Sequence, residues 1–199
     1  ASSNPRPAAM TRPIRDAIEE ATKRLEESSE SPQLDAELLL RLATGLDRVG
    51  LFMRYNEPLP EGQDERFLAL LRRRLEGEPI AYILGRRWFR TIELRVDDRV
   101  LIPRPETEHF VDLALGWLRM HSGPRRVVDV GTGSGAIALA LATELGGARP
   151  DVQIVGTDVS RAALHVAAAN RAELGLKSRV DLVASDLLSG LRGPFDLIL

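Results

Sequence analysis

The sequence of 199 residues has no cysteine, and only 5% of its residues are aromatic. Without cysteine the chain has no disulfide and no thiolate metal ligand. Its three histidines, His109, His121 and His165, do not have the spacing of metal ligands, so we predict no metal site. No apolar run reaches the length of about 20 residues that spans a membrane, and no signal peptide is visible. We therefore expect a cytoplasmic protein without a membrane partner.

The net charge of −2 gives no overall electrostatic field that attracts nucleic acid. We therefore expect no direct nucleic-acid partner. One basic run, Arg72 to Arg74, interrupts this balance. We interpret the run as a solvated helix face, with an acidic partner or RNA as the alternative.

Residues 1–10 are small, polar and proline-bearing, which predicts a disordered leader with Met10 as a candidate start. From residue 11 the apolar residues recur at spacings of three and four, which is typical of amphipathic helices. The pattern predicts helices over 14–28, from Pro32 to a stop at Gly45, over 48–55 and over 64–76. Residues 11–78 are therefore expected to form a small helical domain.

Helical periodicity stops at Gly77 and Pro79, and residues 79–105 are predicted to be an extended or hairpin connector. Pro103 and Pro105 hold the residues before them extended. Pro105 and the acids that follow it suit the first turn of a helix. The connector is thus expected to lead into a helix at about residue 106.

The most informative stretch of the sequence is residues 126–141. A β-branched run is followed by glycine at three alternate positions, Gly131, Gly133 and Gly135, and then by a strong helix former from Ala136. Glycine allows a sharp turn and a close ligand approach, and a helix N-terminus presents unpaired N–H groups. The stretch therefore predicts a ligand site at a strand-to-helix turn.

Two cofactor classes fit such a turn. Gly131, Gly133 and Ala136 match a loose dinucleotide fingerprint, and Asp158 lies about 20 residues further on, where an acid is expected in NAD-binding proteins. An acid inside the strand, Asp129, and the third glycine, Gly135, fit that fingerprint poorly. The spacing of the glycines alone does not decide between NAD and another nucleotide-type cofactor.

Beyond this turn, strand and helix patterns alternate. Strands are predicted over 152–157, 180–183 and 195–199, and Ser160 is expected to cap a helix that ends before Gly175. This alternation predicts an α/β fold with a doubly wound parallel sheet. Ligands lie at the carboxyl ends of such strands, where Asp158 and Asp186 are expected beside the glycine turn. Asn170 is interpreted as a helix-surface residue that packs against the sheet.

Several motifs together resemble one family. The segment Asp129-Val-Gly-Thr-Gly-Ser-Gly135 resembles the signature of class I S-adenosylmethionine-dependent methyltransferases. Three further motifs, in the same order, are similar to those of the peptide chain release factor glutamine methyltransferases of HemK/PrmC type: Arg74-x-x-Gly77-x-Pro79-x-x-Tyr82-x-x-Gly85-x-x-x-Phe89, Leu101-Ile-Pro-Arg-Pro-Glu-Thr-Glu108 and Phe195-Asp-Leu-Ile-Leu199.

The resemblance implies a helical bundle over 11–78 that recognises the substrate, followed after the connector by the first half of a Rossmann-like class I methyltransferase sheet over 106–199. It implies S-adenosyl-L-methionine as the cofactor and a class 1 release factor as the partner, methylated on the glutamine amide of a Gly-Gly-Gln motif. The residues that it implies at the cofactor are Phe89, Arg104, Pro105, Glu106, Thr107, Gly131, Thr132, Gly133, Ser134, Gly135, Asp158, Asp186 and Leu187.

The resemblance also has departures. The family's substrate-binding Asn-Pro-Pro-Tyr motif follows a strand like 195–199, and the sequence ends at Leu199. We therefore expect no catalytic residue of this motif in the chain, and no activity from the chain alone. At Leu187 some members have a tryptophan. The alternatives are a non-catalytic cofactor- or partner-binding module, an adenine N6-methyltransferase of nucleic acid, and an NAD-dependent oxidoreductase.

Overall fold

The computed structural model describes residues 12–199 and divides into two compact units between Leu84 and Gly85. Each unit has a hydrophobic core of its own. The leader predicted over residues 1–10 lies outside the described residues. Across residues 12–199, no helix combines the length and apolar character needed to cross a membrane.

The N-terminal unit is a bundle of helices: α1 (Ile14–Leu25), α2 (Pro32–Thr44), α3 (Arg48–Met53), α4 (Gln63–Leu75) and α5 (Ile80–Leu84). The first four occupy the predicted segments. Proline at the first position of α2 and Gly45 after its end, with φ +73°, set its two boundaries. The apolar stripes of the helices meet in one core, in which Leu39, Leu40 and Phe67 are fully buried.

The expectation of an extended connector over 79–105 is wrong for its first part, because Ile80–Leu84 is helical. Pro79 starts this turn by accepting the backbone N–H groups of Tyr82 and Ile83. Ile83 is buried in the core of the N-terminal unit. The hairpin that follows, β1 (Arg86–Phe89) and β2 (Ile92–Arg95), packs instead into the core of the second unit.

The basic run is not simply a solvated face. The Arg74 side chain is 14% exposed and lies 2.8 Å from Oδ2 of Asp35, whose side chain is 7% exposed. Ser29 donates a hydrogen bond to the same carboxylate oxygen. Arg73 pairs with Glu78, and the resulting hydrogen bonds lower the pKa of Glu78. Two of the three arginines therefore act within the N-terminal unit.

In the second unit, helices alternate with the strands of a parallel sheet. Its elements are α6 (Glu108–Met120), β3 (Arg125–Val130), α7 (Ala136–Leu145), β4 (Val152–Asp158), α8 (Arg161–Glu173), β5 (Val180–Ala184) and β6 (Leu197–Ile198). A short 3-10 turn, Pro105–Thr107, precedes α6.

The strand order is β5-β4-β3-β6, and all three strand pairs are parallel. The chain moves outward from β3 through β4 to β5 and then returns to the other side of β3. The order therefore reverses beside β3, and ligands of such sheets bind at the carboxyl ends of the strands at this reversal. The predicted α/β class with a doubly wound sheet is confirmed.

Candidate functional site

The glycine loop, residues 131–135, leaves β3 at this reversal point. All three of its glycines have a left-handed backbone, with φ of +74° at Gly131, +55° at Gly133 and +85° at Gly135. L side chains rarely adopt this conformation, which explains the choice of glycine. The loop then enters α7 directly at Ala136, so its N–H groups lie at a helix N-terminus.

The space around the three glycines differs. A Cβ atom at Gly131 would meet nothing within 4 Å, and one at Gly133 would meet only the Gly131 carbonyl oxygen, at 3.9 Å. A Cβ atom at Gly135 would lie 2.8 Å from Leu139 Cδ1 and 3.4 Å from Ala167 Cβ. Gly131 and Gly133 thus leave open space in which a ligand can approach the backbone, whereas Gly135 is required for packing between the loop and its helices.

Asp129 holds the loop from beneath. Its side chain is buried, and its Oδ2 accepts the Thr132 hydroxyl at 2.6 Å and the Ala138 N–H at 3.2 Å. Burial raises the pKa of Asp129 from 3.8 to about 6; the two hydrogen bonds oppose this rise, and the charge of Asp158 adds to it. Asp129 therefore joins β3, the loop and α7 rather than facing a ligand.

Asp158 ends β4 beside the loop. Its Oδ2 accepts the Gly133 N–H at 2.9 Å, and its Oδ1 accepts the Ser160 N–H at 2.9 Å. Each carboxylate oxygen has two acceptor positions, so each keeps one for a ligand hydroxyl. The side chain is half-buried, which leaves it accessible. The structure therefore brings the predicted acid into direct contact with the glycine loop.

The loop after β5 lies next to Asp158, because Ser185 donates its backbone N–H to the Asp158 carbonyl at 3.0 Å. Asp186 is exposed in this loop. Leu187 has φ +51°, an uncommon value for a side-chain-bearing residue, and is 68% exposed. Val159, directly after Asp158, is 75% exposed. Two aspartates thus lie near two exposed aliphatic side chains at the carboxyl ends of β4 and β5.

The sequence-based prediction did not include Val159. The sequence contained a signal for it, since an apolar residue directly after the acid that ends a strand lies beyond the buried part of that strand.

Three predicted side chains are not available to a ligand. Phe89 is 1% exposed and lies in the core of the second unit, because β1 packs against the sheet domain. Thr132 and Ser134 are also buried, and the Thr132 hydroxyl is bound to Asp129. We correct the assignment of these three side chains: in the loop the backbone faces the open space.

Arg104 precedes the 3-10 turn Pro105–Thr107 that leads into α6, and Arg104, Pro105 and Glu106 are exposed. Glu108, the residue after this turn, accepts the backbone N–H of Arg90 at 3.2 Å. This bond ties the turn to the β1–β2 hairpin. A place for these residues at the cofactor remains a prediction from the resemblance.

Sequence reasoning expected Asn170 to pack against the sheet but did not predict its hydrogen bonds. This residue is 1% exposed and makes three hydrogen bonds, to both backbone groups of Arg95 and to the Ser134 carbonyl. Helical periodicity places it on the inner face of α8, but only the folded chain brings β2 and the glycine loop to the same side chain.

Comparison with known proteins agrees with this arrangement. Residues 16–85 match the family described as the PrmC N-terminal domain, and residues 121–199 match a methyltransferase domain. The chain is 45% identical over 175 residues to the release factor glutamine methyltransferase of Rhodopirellula baltica, which covers 85% of this chain and 58% of the relative. The chain is therefore similar to release factor glutamine methyltransferases in both of its units. The resemblance seen in the sequence motifs is thereby confirmed.

Two further release factor glutamine methyltransferases are similarly related to the chain. The Escherichia coli release factor glutamine methyltransferase is 42% identical over 176 residues, covering 88% of this chain and 61% of the relative. The enzyme of the same name from Xylella fastidiosa strain 9a5c is 45% identical over 179 residues, covering 89% and 61%. The chain thus spans about 60% of the length of these relatives. A solved ribosomal protein L11 methylase from Lactobacillus delbrueckii gives a TM-score of 0.38 at 33% identity, covering 48% of this chain and 45% of that chain.

Proposed function

We propose that this chain is the substrate-recognition and cofactor-binding part of a release factor glutamine methyltransferase. The reaction would transfer the methyl group of S-adenosyl-L-methionine to the side-chain amide nitrogen of the glutamine in a Gly-Gly-Gln motif. The observation that carries the proposal is the open glycine loop bonded to Asp158 at the reversal point of the sheet. The names of the HemK/PrmC relatives supply the substrate class.

The residues at the reversal point of the sheet fit S-adenosyl-L-methionine. The backbone at Gly131 and Gly133 has free space for the methionine part, and Asp158 retains acceptor positions for the ribose hydroxyls. Val159 and Leu187 offer apolar surface for the adenine ring, with Asp186 beside them. The two aspartates also give the crevice negative charge, which suits a cofactor with a positive sulfonium. When bound, the cofactor supplies an electrophilic methyl group.

The N-terminal helical unit, in this proposal, recognises the release factor. The helices of that unit match the PrmC N-terminal domain, which accompanies the methyltransferase domain in this chain. A release factor acts during translation termination, so the proposed location is the cytoplasm. The Gly-Gly-Gln glutamine is a poor nucleophile, and its methylation depends on positioning it toward the methyl group.

Titration calorimetry with S-adenosylhomocysteine tests the cofactor half of the proposal. We expect saturable binding that Asp158→Ala weakens, and no binding of NAD. Binding of NAD without S-adenosylhomocysteine would instead support the oxidoreductase hypothesis.

Transfer of radiolabelled methyl from S-adenosylmethionine tests the substrate half. The assay compares a class 1 release factor with a variant whose Gly-Gly-Gln glutamine is alanine, using the product of the whole open reading frame that contains this chain. We expect label in the first release factor only. Label in neither release factor, but in adenine of DNA or RNA, would overturn the proposed substrate.

A further inference from the structure

We propose that Asn170 is a positioning residue that holds the glycine loop in its cofactor-binding shape by linking it to the β1–β2 hairpin. The proposal rests on the proposed function, since it concerns the same site. Asn170 does not face the open space at Gly131 and Gly133. It acts through the backbone of Ser134, which lies between Gly133 and Gly135.

Both N–H groups and the oxygen of the Asn170 amide are engaged in hydrogen bonds. Its Oδ1 accepts the Arg95 N–H at 2.7 Å, and its Nδ2 donates to the Arg95 carbonyl at 3.1 Å and to the Ser134 carbonyl at 2.9 Å. The side chain thus pairs with both backbone groups of Arg95, as a neighbouring strand would, and uses its second N–H for the loop. One buried amide joins α8, β2 and the glycine loop.

The same helix supports the loop at a second point. Ala167 lies one turn before Asn170 on α8 and next to Gly135. A Cβ atom added at Gly135 would lie 3.4 Å from Ala167 Cβ, which is van der Waals contact. Gly135 in turn donates its N–H to the Thr132 carbonyl at 2.8 Å. From the opposite side Asp158 accepts the Gly133 N–H. With Asn170 on the Ser134 carbonyl, three successive residues of the loop are each held by a hydrogen bond.

The chemistry at position 170 requires a side chain with two donors and one acceptor at this length. Aspartate keeps the acceptor for Arg95 but turns a carboxylate oxygen toward two carbonyl oxygens. Leucine fills a similar volume and makes no hydrogen bond, so the Arg95 N–H, the Arg95 carbonyl and the buried Ser134 carbonyl each lose the partner that Asn170 supplies. Both changes are expected to release the Ser134 carbonyl and increase the freedom of Gly133 and Gly135.

The experiment measures binding of S-adenosylhomocysteine and the thermal midpoint of Asn170→Asp and Asn170→Leu. Two control variants change side chains of the same helix that make no hydrogen bond to the loop. Glu173→Gln weakens the links from α8 to Arg86 and Arg95 of the hairpin, and Val166→Ala removes buried methyl groups from α8. We expect the Asn170 variants to bind about tenfold more weakly or worse, the scale known for supporting residues around metal sites. Controls with an equal loss of thermal midpoint should bind within about twofold of the wild type.

An affinity of the Asn170 variants equal to that of the controls would overturn the proposal, since Asn170 would then contribute only to folding.

If both Asn170 variants fail to fold, nuclear magnetic resonance of the unsubstituted chain decides. We expect the Asn170 side-chain amide hydrogens to exchange slowly with solvent and to shift when S-adenosylhomocysteine is added. Rapid exchange, or no shift at saturation, refutes the link to the loop. Failure of the unsubstituted chain to bind S-adenosylhomocysteine counts against the proposed function itself. In that case the exchange rate of the Asn170 amide hydrogens still decides whether Asn170 is bonded to the glycine loop.

Discussion

The buried carboxylate of Asp129 makes a prediction about stability and pH. Its folded pKa is about 6 against an ordinary value of 3.8, because burial disfavours the charged form. Between these two values the folded chain binds more protons at this position than the unfolded chain. The contribution of Asp129 to the free energy of unfolding therefore falls as pH rises from about 4 to 6.

The size of this effect follows from the difference between the two pKa values. A difference of about two pH units, at about 1.4 kcal/mol each, gives a loss of about 3 kcal/mol at pH 7 relative to pH 4. The Asp129→Asn variant does not have this loss. The free energy of unfolding of the variant minus that of the wild type is thus expected to increase by about 3 kcal/mol between pH 4 and pH 7.

Urea unfolding followed by tryptophan fluorescence measures this difference in the relevant unit, since Trp88 and Trp117, the two tryptophans of the sequence, both lie after Leu84. The comparison between variant and wild type is essential. The pKa values of Asp97 and Asp151 are lowered by hydrogen bonds from neighbouring arginines, and such groups add stability as pH rises.

The Asp181→Asn variant removes the same charge from an exposed position on β5 and controls for net charge. Parallel stability curves for Asp129→Asn and the wild type between pH 4 and pH 7 would refute the account of Asp129.

The glycine loop and the buried ion pair of the N-terminal unit offer three further tests. Asp158→Ala should weaken S-adenosylhomocysteine binding by about 1.5 to 3 kcal/mol in calorimetry, because it removes hydrogen bonds to a charged acceptor; an unchanged dissociation constant would exclude Asp158 from the site. Gly133→Val should abolish binding, since valine is strained at φ +55° and fills the open space, whereas Gly135→Ala should mainly lower the urea midpoint through its 2.8 Å contact with a leucine side chain. Equal effects of these two substitutions on binding and on stability would contradict the separate roles of the glycines. Arg74→Met should destabilise the N-terminal unit by about 3 to 5 kcal/mol, because it leaves the buried Asp35 carboxylate with the Ser29 hydroxyl but without an opposite charge. Hydrogen exchange in α2 and α4 measures this loss, and unchanged protection would show that the pair contributes little.

Apart from the short helix α5, local sequence alone predicted the order of helices and strands and the position of the glycine loop. The capping residues, the apolar periodicities and the glycines act over a few residues, so their effect is visible without the fold. Pro32 and Gly45 mark the ends of α2, Ser160 caps α8 through the Ala163 N–H, and Asp158 ends its strand beside the loop. Interactions of this range explain why the fold class and the family motifs were predictable.

Tertiary structure decided which groups those elements bring together. The sequence predicted a single role for three glycines, but Leu139 and Ala167 make Gly135 a packing residue, while Gly131 and Gly133 border open space. It placed Phe89 at the cofactor, and the packing of the hairpin buries it.

Asn170 shows the same limit, because its partners, Arg95 and Ser134, are 75 and 36 residues away in the chain. Such contacts depend on how distant segments pack, and no local pattern encodes them.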